Sequence, residues 1–208
     1  MAGVVISNNY KIKMDNSKYV FVTVGSTSFD DLISCMHKSS VLQLLQSQGY
    51  SRIVYQIGQG KYIPTSESVP NKSIKIEHFT TKDSIENYLR NASLVICHAG
   101  VGTVMESLRL KRQVVVVVNS SLMDDHQLEV AEALESLGHV YLCPVPNQIE
   151  QILSDIPSNS KLIPISKLDT TLFPTLINEE LSMVSESDWK GVVTVTFVAL
   201  LIATFFWT

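Results

Sequence analysis

The sequence has no block of basic residues, few cysteines and none of the common glycine signatures of nucleotide-binding enzymes. Its 16 basic and 20 acidic residues give a net charge of −4, so nothing favours a nucleic-acid partner. The three cysteines are odd in number, lie far apart and lack metal-ligand spacing, which argues against a disulfide framework or a zinc site. We therefore expect buried, reduced thiols, as on the cytosolic side of a membrane, at Cys35, Cys97 and Cys143.

Two standard phosphate-binding motifs are also missing. The chain has no G-x-G-x-x-G, which disfavours a standard dinucleotide site, and no P-loop lysine motif. The first 18 residues hold one short apolar patch, too short for the apolar region of a secretory signal, and we expect a lead-in to the first strand. There is no internal repeat and no long low-complexity stretch.

Apolar strand patterns and helical patterns alternate along most of the chain, and the 45% hydrophobic content is normal for a globular core. The runs Tyr19–Val24 and Gln113–Val118 lack polar alternation, which is typical of strands covered on both faces. We predict one helix over residues 29–48 and a short helix over 82–91, with Thr81 as its N-cap. The alternation predicts a doubly wound parallel α/β sheet, a Rossmann-like fold that binds ligands beyond the carboxyl ends of its strands.

The C-terminal part of the chain differs in composition. Residues 191–208 carry no charge and, as a helix, would span roughly 27 Å, with Trp189 and Lys190 at one end and Trp207 at the other. We predict a tail anchor; the alternative is a β-rich segment that docks on a partner, because Val192–Phe197 is strongly β-branched. The predicted division is a lead-in (1–18), an α/β domain (19–156), a polar linker or partner-contact segment (157–188) and the tail (189–208).

The most informative segment is a predicted strand that ends in a glycine-containing turn, His98–Thr103, followed by a helix. Such a turn directs backbone N–H groups and a helix N-terminus at one point, which suits a phosphate. Two glycines allow close approach, and His98 can add a donor or a positive charge. Glu106, about one helical turn further on, could reach a sugar hydroxyl. The alternatives are a tight turn around a packed histidine and a solvated glutamate.

Two further segments follow predicted strands. The turn Gly25–Thr27 offers backbone amides and hydroxyls, although an ordinary strand–helix turn would have the same sequence. The loop Asn119–Gln127 combines polar residues with the start of a helix, where Asp124 or Asp125 could simply cap that helix. Two adjacent carboxylates are weak evidence for a metal, so we expect chemistry without metal or cofactor, with amides and helix dipoles neutralising a diphosphate.

In order and spacing these motifs resemble one family, the small cytosolic catalytic subunit of the two-subunit UDP-N-acetylglucosamine transferase of asparagine-linked glycosylation. The resemblance covers about residues 19–155 and implies the C-terminal half of a two-domain (GT-B) glycosyltransferase. The family more often has asparagine where this chain has Asp125. The contacts with the donor that the motifs and the resemblance together indicate are Gly25, Ser26, Thr27, His98, Ala99, Gly100, Gly102, Thr103, Glu106, Asn119, Met123, Asp124, His126 and Gln127, with His98 as the one catalytic candidate.

The resemblance also implies a reaction and a partner. An inverting hexosyltransferase would move N-acetylglucosamine from UDP-N-acetylglucosamine to N-acetylglucosaminyl-diphospho-dolichol on the cytosolic face of the endoplasmic reticulum membrane, with some of the protein also in the cytoplasm. A separate membrane-bound subunit would bind the acceptor and could supply the general base. Two alternatives stay open: a non-catalytic nucleotide-sugar-binding or scaffold module, and a nicotinamide-dependent oxidoreductase, which the missing G-x-G-x-x-G disfavours.

Overall fold

A computed structural model describes residues 18–66, 74–119, 125–156 and 162–163. These residues form one parallel sheet with helices on both faces. The strands are β1 (Tyr19–Thr23), β2 (Arg52–Gln56), β3 (Lys75–Phe79), β4 (Leu94–His98), β5 (Gln113–Val117) and β6 (Tyr141–Cys143). The α-helices are α1 (Asp30–Met36), α2 (Ser39–Ser47), α3 (Glu86–Asn91), α4 (Val101–Arg109), α5 (Asp125–Ser136) and α6 (Ile149–Asp155), the last preceded by a 3-10 turn (Pro146–Gln148).

The strand order is β3-β2-β1-β4-β5-β6, and every neighbouring pair is parallel. This is the order of a doubly wound sheet, and the direction of winding reverses between β1 and β4. The predicted fold class is therefore confirmed. The carboxyl ends of β1 and β4 lie side by side, with Thr23 in register with Cys97.

The core has two layers because successive residues of each strand face opposite sides of the sheet. In β5 the valines Val115 and Val117 belong to one hydrophobic cluster, and Val114 and Val116 to the other. The first cluster contains residues of α1, α2 and α6, and the second contains residues of α3, α4 and α5. The absence of alternation in this run thus reflects burial on both faces, as predicted.

Two helix predictions were wrong. The helix expected over residues 29–48 is broken at His37 and Lys38, where Lys38 has an extended backbone with ψ 140°. The buried His37 ring bonds instead to the Tyr62 hydroxyl and the Thr65 carbonyl, both at 2.8 Å. The apolar period continued across the break because α1 and α2 pack against the same core.

Helix α3 begins at Glu86 rather than at residue 82, and its N-cap is Ile85, not Thr81. The side chain of Lys82 extends over the rings of Phe79 and Tyr88, with the ammonium nitrogen 4.9 and 4.8 Å from the ring centroids. The residues between β3 and α3, including Lys82, form a loop at the carboxyl end of β3.

The three cysteines are buried and free, as expected. Burial raises the pKa of Cys97 to about 12, which keeps this thiol protonated. Within the described part of the chain, no helix is long and apolar enough to cross a membrane. Residues 1–17 of the predicted lead-in, almost all of the linker and the whole tail lie outside the described residues.

Candidate functional site

The two glycine turns predicted to bind a ligand meet at the reversal between β1 and β4. His98 ends β4, and its ring lies between Gly25 and Gly100. A methyl group on Gly25 would lie 3.2 Å from Cε1 of the ring, and one on Gly100 would lie 2.6 Å from Nε2. Gly25 also has φ +64°, a left-handed backbone that favours glycine. Both glycines therefore make room for the histidine.

The position of His98 decides its charge. Burial lowers the pKa of the ring, and the nearby backbone of Thr23 offsets only part of this effect. Nδ1 is buried and has no hydrogen-bond partner among the described residues. The ring is therefore neutral at pH 7, and it offers an N–H donor rather than the positive charge considered from the sequence.

The N-terminus of α4 supplies free backbone donors. Gly100 N–H donates to the His98 carbonyl at 2.7 Å, and Val104 N–H donates to the Gly100 carbonyl at 3.2 Å. Within the described residues, the N–H groups of Val101, Gly102 and Thr103 donate to no protein acceptor. Together with the helix dipole, these three amides form an anion site of the predicted kind.

The Gly25–Thr27 turn contributes less than its sequence suggests. Gly25 N–H donates to Thr23 Oγ1 at 3.1 Å, and Thr27 N–H donates to the Val24 carbonyl at 3.3 Å. The Thr27 hydroxyl donates to the same carbonyl at 2.8 Å. Ser26 is exposed, so its amide and hydroxyl are the donors that the turn presents to a ligand.

A cleft of about 340 Å³ lies beside this turn. Glu106 lines it, and burial raises the pKa of its carboxyl group, with Glu86 adding to the shift and Arg109 opposing it. Gly25 and Ser26 of the first glycine turn thus line the same cavity as Glu106, the candidate for ribose binding. Its lining residues are Gly25, Ser26, Gln56, Thr81, Lys82, Asp83, Ser84, Ile85 and Glu106.

Sequence reasoning missed Gln56 and the loop Thr81–Ile85. A signal was present, because the runs Arg52–Ile57 and Ile74–Phe79 also predict strands of the same parallel sheet. Their carboxyl ends must lie at the same edge as those of β1 and β4. The prediction of a helix starting at residue 82 hid the loop.

The remaining predicted contacts are placed only in part. Asn119 is 4% exposed just beyond the end of β5, and Ala99 is 5% exposed beneath the turn. Met123 and Asp124 lie outside the described residues, as do the side chains of His126 and Gln127 in the first turn of α5. In the part of the chain that is described, no group of three or more His, Cys, Asp or Glu side chains could hold a metal. Metal-independent chemistry stays a prediction.

Comparison with known proteins identifies the architecture and its relatives. The Glycosyltransferase family 28 C-terminal domain matches residues 19–173. The human UDP-N-acetylglucosamine transferase subunit ALG13 is 42% identical over 142 residues, covering 66% of this chain and 12% of the human protein. The Saccharomyces cerevisiae subunit ALG13 is 31% identical over 156 residues, covering 61% of this chain and 77% of the yeast protein.

Two solved structures share the fold. The NMR solution structure of ALG13 superimposes with a TM-score of 0.57 at 26% identity, covering 77% of this chain and 94% of that one. The crystal structure of Acinetobacter baumannii MurG gives a TM-score of 0.52 at 22% identity, covering 67% of this chain and 41% of that one. The chain belongs to the family of UDP-N-acetylglucosamine transferase subunits ALG13, and its domain is a glycosyltransferase family 28 C-terminal domain.

Proposed function

We propose that this chain is the donor-binding, catalytic subunit of an inverting N-acetylglucosaminyltransferase. It transfers the sugar from UDP-N-acetylglucosamine to N-acetylglucosaminyl-diphospho-dolichol, together with a membrane-bound acceptor-binding subunit on the cytosolic face of the endoplasmic reticulum. One observation carries the proposal: a glycosyltransferase domain presents three free amides at the N-terminus of α4 beside a cleft lined by Glu106.

In this proposal each part of the donor has its own place in the site. The diphosphate lies against Ser26 and the free amides of α4, where the helix dipole favours negative charge. The ribose lies against the Glu106 carboxylate, which accepts hydrogen bonds from its hydroxyls. The base then extends towards the loop Thr81–Ile85, which lines the other side of the cleft. The sugar lies towards Asn119–Gln127, as the family resemblance implies.

The chemistry divides between the two subunits. An inverting step needs a base for the acceptor hydroxyl and stabilisation of the departing UDP. The α4 amides and the neutral His98 ring stabilise the departing UDP. The partner supplies the acceptor and, in this proposal, the general base.

Reconstitution in a membrane tests this function. The chain is combined with the candidate partner and a polyprenyl-diphosphate-linked N-acetylglucosamine, and transfer from labelled UDP-N-acetylglucosamine is measured. We expect transfer with both subunits, none with either alone, and a loss of about tenfold or more for Glu106→Gln, which removes a charged hydrogen-bond acceptor. An assembled complex that binds the donor but transfers nothing would contradict the catalytic role and favour the non-catalytic scaffold module.

The membrane location has its own experiment. We propose that residues 189–208 anchor the chain, since this segment is uncharged over residues 191–208 and flanked by tryptophans. Full-length chain, without the partner, should sediment with vesicles, and the chain lacking residues 189–208 should stay in the supernatant. Equal sedimentation of the two forms would contradict the anchor.

A further inference from the structure

Gln56 is held in the floor of the cleft by a short chain of hydrogen bonds. Gly25 N–H donates to Thr23 Oγ1 at 3.1 Å, and the Thr23 hydroxyl donates to Gln56 Oε1 at 2.6 Å. Thr23 and Gln56 are register partners at the ends of β1 and β2. Their side chains are almost fully enclosed, with exposed fractions of 0% and 4%.

This chain of bonds orients the carboxamide. The Thr23 oxygen accepts from Gly25 N–H, and the Thr23 hydrogen donates to the carbonyl oxygen of Gln56. The amide nitrogen of Gln56 therefore points away from Thr23. Among the described residues nothing accepts a hydrogen bond from it, and the residue lines the cleft. A buried residue thus presents two N–H donors to whatever occupies that cavity.

The order of the strands indicates which part of the ligand Gln56 meets. Strand β2 lies between β1, which leads to the Ser26 turn, and β3, which leads to the loop Thr81–Ile85. The phosphate site lies on the opposite side of β1, at the junction with β4. Gln56 therefore lies beneath the nucleoside end of the donor, not beneath the diphosphate or the transferred sugar.

We propose that Gln56 is a base-selecting residue, which rests on the proposed function. Its Nε2 group donates to a carbonyl oxygen of the nucleotide base. A buried donor group accepts a keto base such as uracil and disfavours a base that presents an amino group at the same position. The amino base would leave the donor that faces it unpaired, and that loss is the basis of the discrimination.

The test is a comparison of UDP and CDP affinities by calorimetry. The informative variant is Gln56→Glu, which keeps an oxygen for the Thr23 hydroxyl but replaces the outward donors with an acceptor. We expect wild type to prefer UDP and the variant to lower the ratio of UDP to CDP affinity by about tenfold or more. An unchanged ratio would overturn the proposal.

Two further variants test the donor and its orientation. Gln56→Leu removes the donor without adding charge, so we expect it to lower the ratio as well, and it replaces the Glu variant if that variant does not fold. Thr23→Val keeps the amide but removes the hydroxyl that orients it, so we expect the ratio to fall by less than in Gln56→Leu. A ratio that falls with Thr23→Val but not with Gln56→Leu would assign the effect to the turn and overturn the proposal. Wild type that binds neither nucleotide would overturn the proposed function itself, whereas wild-type binding with an unchanged ratio in Gln56→Glu overturns base selection alone.

Discussion

Gly102 is a residue whose glycine the fold does not require. A methyl group there would meet no atom within 4 Å, and the residue lies in the first turn of α4 without a positive φ. Glycine inside a helix lowers stability by roughly 0.5–1 kcal/mol relative to alanine. Under the proposed function, close approach of the donor to the backbone would account for a glycine at this position.

We predict that Gly102→Ala keeps or raises the stability of the protein but weakens binding of UDP-N-acetylglucosamine about tenfold or more. Urea unfolding and calorimetry on the same sample measure the two effects. Gly100→Ala is the matched comparison: its methyl group would lie 2.6 Å from His98 Nε2, so it should lower both stability and affinity. Unchanged affinity in Gly102→Ala would contradict a ligand at the start of α4.

His98 makes the stability depend on pH. Burial lowers its pKa below the ordinary 6.5, so between these two values the unfolded chain binds more protons than the folded one. The stability that depends on a neutral His98 is therefore fully present above about pH 6.5, and it is lost as the pH falls below that value. We predict that wild type loses more stability than His98→Gln when the pH falls from about 7.5 to about 5.5. Parallel losses in urea unfolding would show that His98 does not titrate in this range.

At this scale the sequence was informative about residue type but not about hydrogen-bond partners. The pattern His98–Thr103 identified the turn because two glycines directly after an apolar strand favour a backbone that a ligand can approach closely. The amides of Gly25 and Thr27 already donate to the Thr23 hydroxyl and the Val24 carbonyl. These bonds depend on where the two acceptors lie relative to the turn. Side-chain chemistry alone does not supply that geometry.

At the scale of elements, the loop after β2 supports the turn after β1. Gln59 N–H donates to the Thr27 carbonyl at 3.0 Å, and Gly58 has φ +55°. A methyl group on Gly58 would lie 2.0 Å from that same carbonyl oxygen. The Asp30 carboxylate accepts from the backbone N–H groups of Lys61 and Tyr62, which ties the loop to the start of α1.

We predict that Gly58→Ala destabilises the protein by more than the ~1–2 kcal/mol of a left-handed backbone and weakens donor binding by displacing Ser26. Gly49→Ala is the control, because Gly49 also has a positive φ, +86°, but a methyl group there meets nothing within 4 Å. Gly49→Ala should lower the stability only by the cost of the left-handed backbone, and it should leave the donor affinity unchanged. Equal effects of the two substitutions in unfolding and calorimetry would show that the β2 loop does not support the site.

The runs Tyr19–Val24 and Gln113–Val118 were predicted correctly as strands because a parallel sheet buried on both faces imposes continuous apolar runs. Helix boundaries were harder to predict. At the break, the His37 ring bonds to Tyr62 and Thr65, which are distant in sequence, and no local pattern reports such contacts. For the same reason the loop Thr81–Ile85 was assigned to a helix, although its place at a strand end makes it part of the cleft.

For the whole molecule, the fold follows from the alternation of strands and helices, and the position of the cleft follows from the reversal of strand order. The family relationship supplies the glycosyltransferase assignment, which the sheet alone does not, since similar sheets bind many nucleotides. The chain spans 12% of the human relative and 77% of the yeast relative, so the reaction of the complete enzyme rests on the reconstitution experiment.

The central claim is that an activated sugar nucleotide binds where β1 and β4 meet. Titration of the isotope-labelled chain with UDP, followed by amide chemical shifts, tests it most directly. We predict the largest shifts at Ser26 and at Val101, Gly102 and Thr103, with little change in β6 and α6. Saturable shifts centred on β6 and α6, or no shifts at millimolar UDP, would contradict the account.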